Sequence, residues 1–160
     1  MDIFNFAIQM EKDGEALYRQ LAEQANEEGI KHILTMLADD EVKHAGAIEQ
    51  MRSRTVEMAN TEILDKAKNI FVRMKEFGGE FDVDQGHEAL YRQAMQIEQN
   101  SIDFYLDRAD QLSNPKHKAL FEQLAAEEKK HYRLLSGLAD FVNRPKTWLE
   151  NAEFFHIEEY

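Results

Sequence analysis

Apolar residues recur three and four positions apart along four long stretches of this chain. That spacing places them on one side of an α-helix and leaves the polar residues on the other side. The pattern predicts four helices, over residues 4–27, 30–54, 84 or 86 to 113, and 115–142. In the last of these, the residues on or near one side are Leu120, Leu124, His131, Leu134, Leu135 and Leu138.

Polar residues and helix breakers predict where these helices begin and end. Asp2 is placed to cap the first helix, and Gly29 is expected to break the chain between the first and the second. Asn114 and Pro115 predict a cap followed by proline at the first helical position. Because the connections within each pair of helices are short, both pairs are predicted to be antiparallel.

The connection between the second and third helices is long, covering residues 55–83. It contains an amphipathic stretch, residues 63–77, followed by two glycines, which predicts a crossover helix along the outside of a bundle. One long crossover is typical of a ferritin-like topology. The sequence therefore predicts an all-α, ferritin-like antiparallel four-helix bundle over residues 1–142, with an aromatic and acidic tail over residues 143–160.

The tail is expected to leave the bundle at Pro145, which should end the last helix. Its apolar side chains, Trp148, Leu149, Phe154 and Phe155, are expected to pack on the bundle or on a second subunit. Twofold dimers are the commonest protein oligomers, and we expect a homodimer.

The two halves of the chain resemble each other at a fixed offset of 87 residues. Residues 7–18 align with residues 94–105 without a gap, and residues 37–44 align in the same register with residues 124–131. In each half, 30 residues separate a first glutamate from the glutamate of a Glu-x-x-His motif. Such a repeat indicates two copies of one helix pair. The repeat halves are residues 4–54 and 86–142.

Each half contributes the same three side chains that can bind metal. Residues three apart on a helix share a face, so the Glu and His of each motif can approach one point. Four carboxylates would balance the charge of two divalent cations, and imidazole adds a nitrogen ligand suited to iron. Helical bundles that hold two iron or manganese ions use this ligand set. The predicted metal ligands are Glu11, Glu41, His44, Glu98, Glu128 and His131.

Tyr18 and Tyr105 each lie seven residues after the first glutamate of their half, on the same helix face. They are predicted to donate hydrogen bonds to the ligand carboxylates. The alternative is that they only fill the core. The histidines without repeat partners are expected at the surface: His32, His87, His117 and His156.

Composition excludes several classes of function. The absence of cysteine excludes disulfides, thiolate catalysis and cysteine-ligated iron sites from these residues. The net charge of −12 argues against nucleic acid and anionic membrane surfaces as partners. The N-terminus does not have the pattern of a signal peptide, and no apolar run approaches the roughly 18 residues of a membrane helix. A cytoplasmic location is expected.

The metal prediction competes with a simpler one. A single Glu-x-x-His motif is common on a solvated helix face, which would make the chain a structural or interaction bundle without metal. Two motifs in one register, each with a paired glutamate, favour a site for two ions. Iron is the expected metal, although manganese and zinc share such ligands.

These paired motifs resemble those of the rubrerythrin branch of the ferritin-like superfamily, over about residues 3–142. The resemblance implies a non-haem di-iron centre that reacts with peroxide or dioxygen. It also implies that Glu41 and Glu128 bridge the two ions, while Glu11 and Glu98 are the terminal carboxylates.

Two departures from rubrerythrins proper bear on function. Those proteins carry a cysteine-ligated rubredoxin domain that relays electrons, so a separate electron-donor protein is expected for this cysteine-free chain. They also have an extra glutamate, tied to redox-linked movement of one iron, where this chain has Ser101 and, at the repeat position, Gly14. The functions predicted are peroxide reduction, or Fe(II) oxidation with dioxygen or peroxide, in oxidative-stress defence. The alternative is iron sequestration or metal sensing without turnover.

Overall fold

The computed structural model describes residues 2–53, 62–77 and 87–143. The helices in these ranges are α1 (Ile3–Gln24), α2 (Glu28–Ser53), α3 (Ile63–Phe77), α4 (Glu88–Gln111) and α5 (Pro115–Asn143). The predicted all-α class is confirmed, and α1, α2, α4 and α5 correspond to the four predicted bundle helices. Across the described ranges, no helix combines the length and the apolar character needed to cross a bilayer.

The predicted starts of the first and last helices are confirmed. Asp2 accepts a hydrogen bond from the backbone N–H of Asn5 at 2.8 Å, as an N-cap does. The side chain of Asn114 accepts one from the backbone N–H of Lys116 at 2.9 Å and so caps α5. Pro115 is the first residue of α5, where its missing N–H would have no partner within the helix.

The predicted break at Gly29 is wrong, because the turn between α1 and α2 lies at residues 25–27. Gly29 falls in the first turn of α2, and its N–H donates to the Glu27 carboxylate at 2.9 Å. The Glu27 carbonyl accepts from the N–H of Lys31 at 3.0 Å. A Cβ at Gly29 would be 2.5 Å from Met74 Sδ, so this glycine allows α3 to approach α2 closely.

The crossover helix α3 has the bounds that its amphipathic pattern predicts, and it packs on α2 and α5. The ring of Phe71 lies 6.2 Å from the ring of Phe141 on α5, measured between centroids. This helix therefore extends the apolar core on the outer side of the bundle. Its buried residues are Ile63, Ala67, Ile70, Phe71 and Met74.

Some predicted boundaries fall outside the described residues. The expected start of the third helix at residue 84 or 86 is one of them, and α4 begins at Glu88, directly after His87. At its other end, α4 stops at Gln111, two residues before the predicted end. The tail predictions also lie outside the described residues: Pro145, Trp148, Leu149, Phe154 and Phe155.

Buried apolar residues form two clusters, one on each side of the bundle's middle. The first cluster joins α3 to the C-terminal halves of α1 and α5 and the N-terminal halves of α2 and α4. The second cluster joins the opposite halves of those four bundle helices. This distribution makes both helix pairs antiparallel, as predicted. A layer of buried polar side chains lies between the two clusters.

Candidate metal centre

The six side chains that the repeat predicts as ligands meet in this middle layer. Each of them is at most 4% exposed. One glutamate comes from each of α1 and α4, and one Glu-x-x-His pair comes from each of α2 and α5: Glu11, Glu98, Glu41, His44, Glu128 and His131. Charged groups buried so deeply are destabilising unless they pair with one another or bind ions.

The six side chains form two overlapping groups of four. In the first group, Glu41 and Glu128 are joined by His44 and the α1 glutamate, and the four ligand atoms lie within 4.8 Å of one another. The second group contains the same Glu41 and Glu128 together with His131 and the α4 glutamate, and its four ligand atoms also lie within 4.8 Å of one another. We name these groups the His44 position and the His131 position. Because Glu41 and Glu128 belong to both, they can serve both positions.

Both imidazoles direct Nδ1 towards carboxylates. His44 Nδ1 is 2.8 Å from Glu128 Oε1 and 3.4 Å from Glu11 Oε2. His131 Nδ1 is 2.9 Å from Glu41 Oε1 and 3.3 Å from Glu128 Oε2. The two rings are nearly parallel, with centroids 5.5 Å apart and an interplanar angle of 14°. The nitrogen and oxygen atoms that could bind a cation are therefore turned towards common points.

Each buried tyrosine donates a hydrogen bond to the glutamate of the opposite half. Tyr18 on α1 donates to Glu98 on α4, and Tyr105 on α4 donates to Glu11 on α1. Burial, followed by the charge of Glu98, raises the pKa of Tyr18 well above its usual value. Burial and then Glu11 raise the pKa of Tyr105 in the same way. Both phenols therefore keep their protons near neutral pH and act as donors.

The four glutamates crowd negative charge into a small buried volume. Burial, followed by the charges of Glu11 and Glu128, raises the pKa of Glu41 well above its usual range. Burial and then Glu128 raise the pKa of Glu98 in the same direction. Burial on its own would raise the pKa of Glu128 as well. Its hydrogen bond with Glu98 and the charge of the neighbouring His131 instead hold that pKa well below the usual range. Protons and negative charge are therefore shared unequally among the carboxylates.

The same carboxylates favour protonated imidazoles. Burial on its own would lower the pKa of His44, but Glu11 and Glu128 raise it to about 10. Burial on its own would also lower the pKa of His131, but Glu128 and Asp40 raise it well above the usual value. Each ring therefore holds two protons near pH 7. A cation that binds at Nδ1 must displace one of them.

The donor set fits two divalent cations. Several buried ligand atoms have charged neighbours but make no aligned hydrogen bond within the described ranges: one oxygen of each of the four glutamates, and Nδ1 of His131. A buried polar atom left without a partner costs about 1–3 kcal/mol. A cation bound at these atoms would remove that penalty. Iron, manganese and zinc all accept carboxylate oxygen and imidazole nitrogen as ligands.

Gly14 brings the backbone of α1 against the side chain of Glu41. A Cβ at Gly14 would be 2.6 Å from Glu41 Oε2, so any larger residue would displace that carboxylate. The repeat partner of Gly14 is Ser101, which is also buried and donates its hydroxyl to the Ile97 carbonyl oxygen at 3.2 Å. Neither position supplies a further carboxylate to the cluster.

Sequence reasoning missed Asp40, which is only 5% exposed and lies behind one of the imidazoles. Its Oδ2 is 3.0 Å from Nε2 of His131. The repeat contains a signal for it, because Asp40 aligns with Glu127, and an acidic residue thus precedes both Glu-x-x-His motifs. Glu127 is also buried, and it accepts a hydrogen bond from Lys130 at 3.1 Å.

None of the other described histidines belongs to the His44 position or the His131 position. His32 is exposed, as predicted. His87 and His117 are half-buried, so the surface prediction holds for them only in part. The ring of His117 packs edge-on against Phe4, with centroids 5.3 Å apart. His156 lies outside the described residues.

A four-helix bundle whose middle layer gathers four glutamates and two histidines defines the class of ferritin-like proteins able to hold two metal ions. A sequence model of the rubrerythrin family matches residues 2–139 of this chain. The chain belongs to the rubrerythrin family. No curated protein and no solved structure matches it significantly. The family binds a di-iron centre and its members are usually oxidoreductases, which agrees with the two ligand groups found here.

Proposed function

We propose that this chain is a non-haem di-iron redox protein that reduces hydrogen peroxide. The observation that carries the proposal is the pair of overlapping ligand groups that share Glu41 and Glu128. Carboxylates shared in this way can bridge two cations, and each position adds an imidazole and a glutamate of its own. Two ferrous ions bound there would supply one electron each to the O–O bond of peroxide, which with two protons gives two molecules of water.

The chain's own residues would hold the ions and keep the ligands oriented. Glu41 and Glu128 would bridge, Glu11 and Glu98 would be terminal ligands, and both imidazoles would bind through Nδ1. Their distances of 2.8 Å and 2.9 Å to the bridging carboxylates support this assignment. The two tyrosine hydroxyls restrain the terminal carboxylates, because each phenol donates to one of them across the bundle.

Repeated turnover needs two electrons from outside these 160 residues, which contain no cysteine for a rubredoxin-type relay. We therefore propose that a separate electron-donor protein reduces the centre. We also propose a homodimer, because the 49% exposed Phe6 packs beside Phe104, with ring centroids 5.0 Å apart, and so presents an apolar surface on the bundle. Sedimentation of the metal-loaded protein tests the dimer, and a strictly monomeric species would overturn it.

A second candidate function is the oxidation of Fe(II) by dioxygen or hydrogen peroxide, with the iron as substrate. Each ferrous ion would give one electron to the oxidant and would then be sequestered as ferric iron. Ser101 favours this alternative, because it occupies the position of the extra glutamate that rubrerythrins proper use for redox-linked iron movement. Its hydroxyl is engaged by the carbonyl oxygen of Ile97 on its own helix. The same ligand set would also serve iron storage or metal sensing without turnover.

The test is to load the protein anaerobically with Fe(II) and to mix it with hydrogen peroxide. The expected result is a change in optical absorption, with one peroxide consumed for each pair of ferrous ions. Glu41→Ala and Glu128→Ala should abolish both signals, because each variant removes a carboxylate that both positions share. Glu49→Ala is the matched control, since Glu49 is an exposed glutamate on the same helix as Glu41.

Further measurements separate the candidates. Continued peroxide loss when a chemical reductant is supplied supports peroxide reduction. Continued uptake of Fe(II) far beyond two ions per chain when dioxygen or peroxide is supplied, with formation of ferric iron, supports the second candidate. If the protein binds no Fe(II), and if a chelator leaves its melting temperature unchanged, the chain is a structural bundle and both candidates fail.

A further inference from the structure

We propose that Asp40 is a positioning residue that makes the two metal positions unequal, so that the His131 position fills first and holds its ion more tightly. The inference rests on the proposed two-metal centre and adds an order of occupancy to it. The internal repeat alone would predict two equal positions, because it supplies the same ligand types to each. Asp40 breaks that equality.

Asp40 lies directly behind the imidazole of His131. Its Oδ2 is 3.0 Å from Nε2, while Nδ1 of the same ring is 2.9 Å from Glu41 and 3.3 Å from Glu128. With Nε2–H donating to Asp40, the ring presents its Nδ1 lone pair to the cation. A carboxylate behind a ligand imidazole fixes the ring's tautomer and orientation and makes the ligand nitrogen more basic. Both effects strengthen binding at the His131 position.

The His44 position has no equivalent support within the described residues. Nε2 of His44 is buried and makes no hydrogen bond there. Asp40 belongs to one close group with both imidazoles, with ligand atoms within 4.8 Å, and its Oδ2 is hydrogen-bonded to Nε2 of His131. In the other half of the repeat, the residue that aligns with Asp40 is Glu127, which accepts from Lys130 at 3.1 Å.

The expected difference in affinity follows from this contrast. Loss of the outer partner of a ligand histidine typically weakens metal binding by about 10–100-fold. The two positions share both bridging carboxylates, and each has one further glutamate, so the outer partner of the imidazole is what distinguishes them. We therefore expect the first ion to bind about 10–100-fold more tightly at the His131 position than at the His44 position.

A first test uses the wild-type chain and Co(II) alone, because this ion is stable to air and scatters X-rays anomalously. Crystals of the metal-free protein are loaded with one equivalent of Co(II), and the anomalous signal is compared between the two positions. The expected result is strong occupancy at the His131 position and weak occupancy at the His44 position. Equal occupancy would overturn the inference.

A second test titrates Co(II) into variants by calorimetry. Asp40→Ala should weaken the tighter step, so that the two binding steps converge. Asp40→Asn should lie between wild type and Asp40→Ala, because its amide oxygen can still accept from Nε2 of His131. Asp39→Asn is the matched control: Asp39 is the preceding residue on α2, is exposed and pairs with Arg19 at 2.9 Å. It removes the same charge and should leave both steps unchanged.

The outcomes separate this inference from the proposed function. If wild type binds two ions, and Asp40→Ala matches Asp39→Asn, Asp40 has no such role although the two-metal centre stands. If wild type binds no Co(II) and no Fe(II), the proposed function itself fails. A purely structural Asp40 would lower the melting temperature of metal-free Asp40→Asn without changing the ratio of the two affinities, and that result would also overturn the inference.

Discussion

Tyr18 and Glu98 are 80 residues apart in the sequence, yet the phenol of the first donates a hydrogen bond to the carboxylate of the second. Tyr105 makes the corresponding bond to Glu11 in the other direction. Each half of the repeat thus supplies the donor that orients the terminal glutamate of the other half. Neither helix pair alone contains a complete set of oriented ligands.

Removing these hydroxyls should weaken the two metal positions separately. Tyr18→Phe leaves Glu98 without its donor and should weaken Co(II) binding at the His131 position by about 10–100-fold. Tyr105→Phe should do the same at the His44 position, because its partner is Glu11. Competition with a chelator measures both affinities. Tyr132→Phe, at a half-buried tyrosine of α5, is the control, and equal affinities in all three variants would contradict the prediction.

Two helical glycines should respond oppositely to alanine. Gly46 is exposed, and a Cβ there meets nothing within 4 Å, so Gly46→Ala should raise the free energy of unfolding by about 0.5–1 kcal/mol. Gly14→Ala should gain less stability and should weaken Co(II) binding, because its Cβ would displace the Glu41 carboxylate. Urea denaturation and metal titration measure the two effects. If Gly14→Ala binds Co(II) as tightly as Gly46→Ala, the close contact between Gly14 and Glu41 does not affect metal binding.

Neutralising a shared carboxylate should stabilise the metal-free protein while removing its response to metal. The raised pKa of Glu41 means that its ionised form is disfavoured in the folded state. The free energy of unfolding therefore falls as the pH rises from the unfolded pKa of Glu41 to its higher folded pKa. At pH 7, Glu41→Gln should raise the free energy of unfolding in the presence of a chelator, because it keeps a neutral side chain of similar size.

The same variant should lose the stabilisation that a ligand of the folded state provides. Wild type should gain about 2.7 kcal/mol when free Co(II) is one hundred times its dissociation constant. Urea denaturation with chelator and with Co(II) measures both parts of the prediction. Glu49→Gln, at an exposed position of α2, should change neither. A metal-free Glu41→Gln protein less stable than wild type would contradict the charge-crowding argument.

Metal loading near pH 7 should release protons. Because the carboxylates raise the pKa of His44 to about 10, this ring carries an extra proton at pH 7 that a cation at Nδ1 must displace. The raised pKa values of His131 and Glu41 act in the same direction. Calorimetric titration of Co(II) in buffers with different ionisation enthalpies counts the protons. The release should fall as the pH approaches 10, and binding without proton release at pH 7 would contradict the prediction.

The sequence was sufficient for the helices and the gathered side chains because their signals are local or repeated. Asn114 and Pro115 mark a helix start by their own chemistry. The 87-residue repeat aligns Glu11 with Glu98 and so predicts that both belong to the same site. Gly29 was misjudged because its role depends on the approach of α3, a contact with residues far along the chain. Asp40 was missed because its partner, His131, lies on another helix, although the repeat aligns it with a second acidic residue.

The two apolar clusters on either side of the buried polar layer affect the route by which small molecules can reach that layer. Apolar side chains of the described helices fill the interior on both sides of the polar layer, so these clusters leave no open path to the centre along the bundle axis. We expect entry from the side, through brief separation of neighbouring helices. We expect such an opening to admit hydrogen peroxide more readily than a bulky organic peroxide.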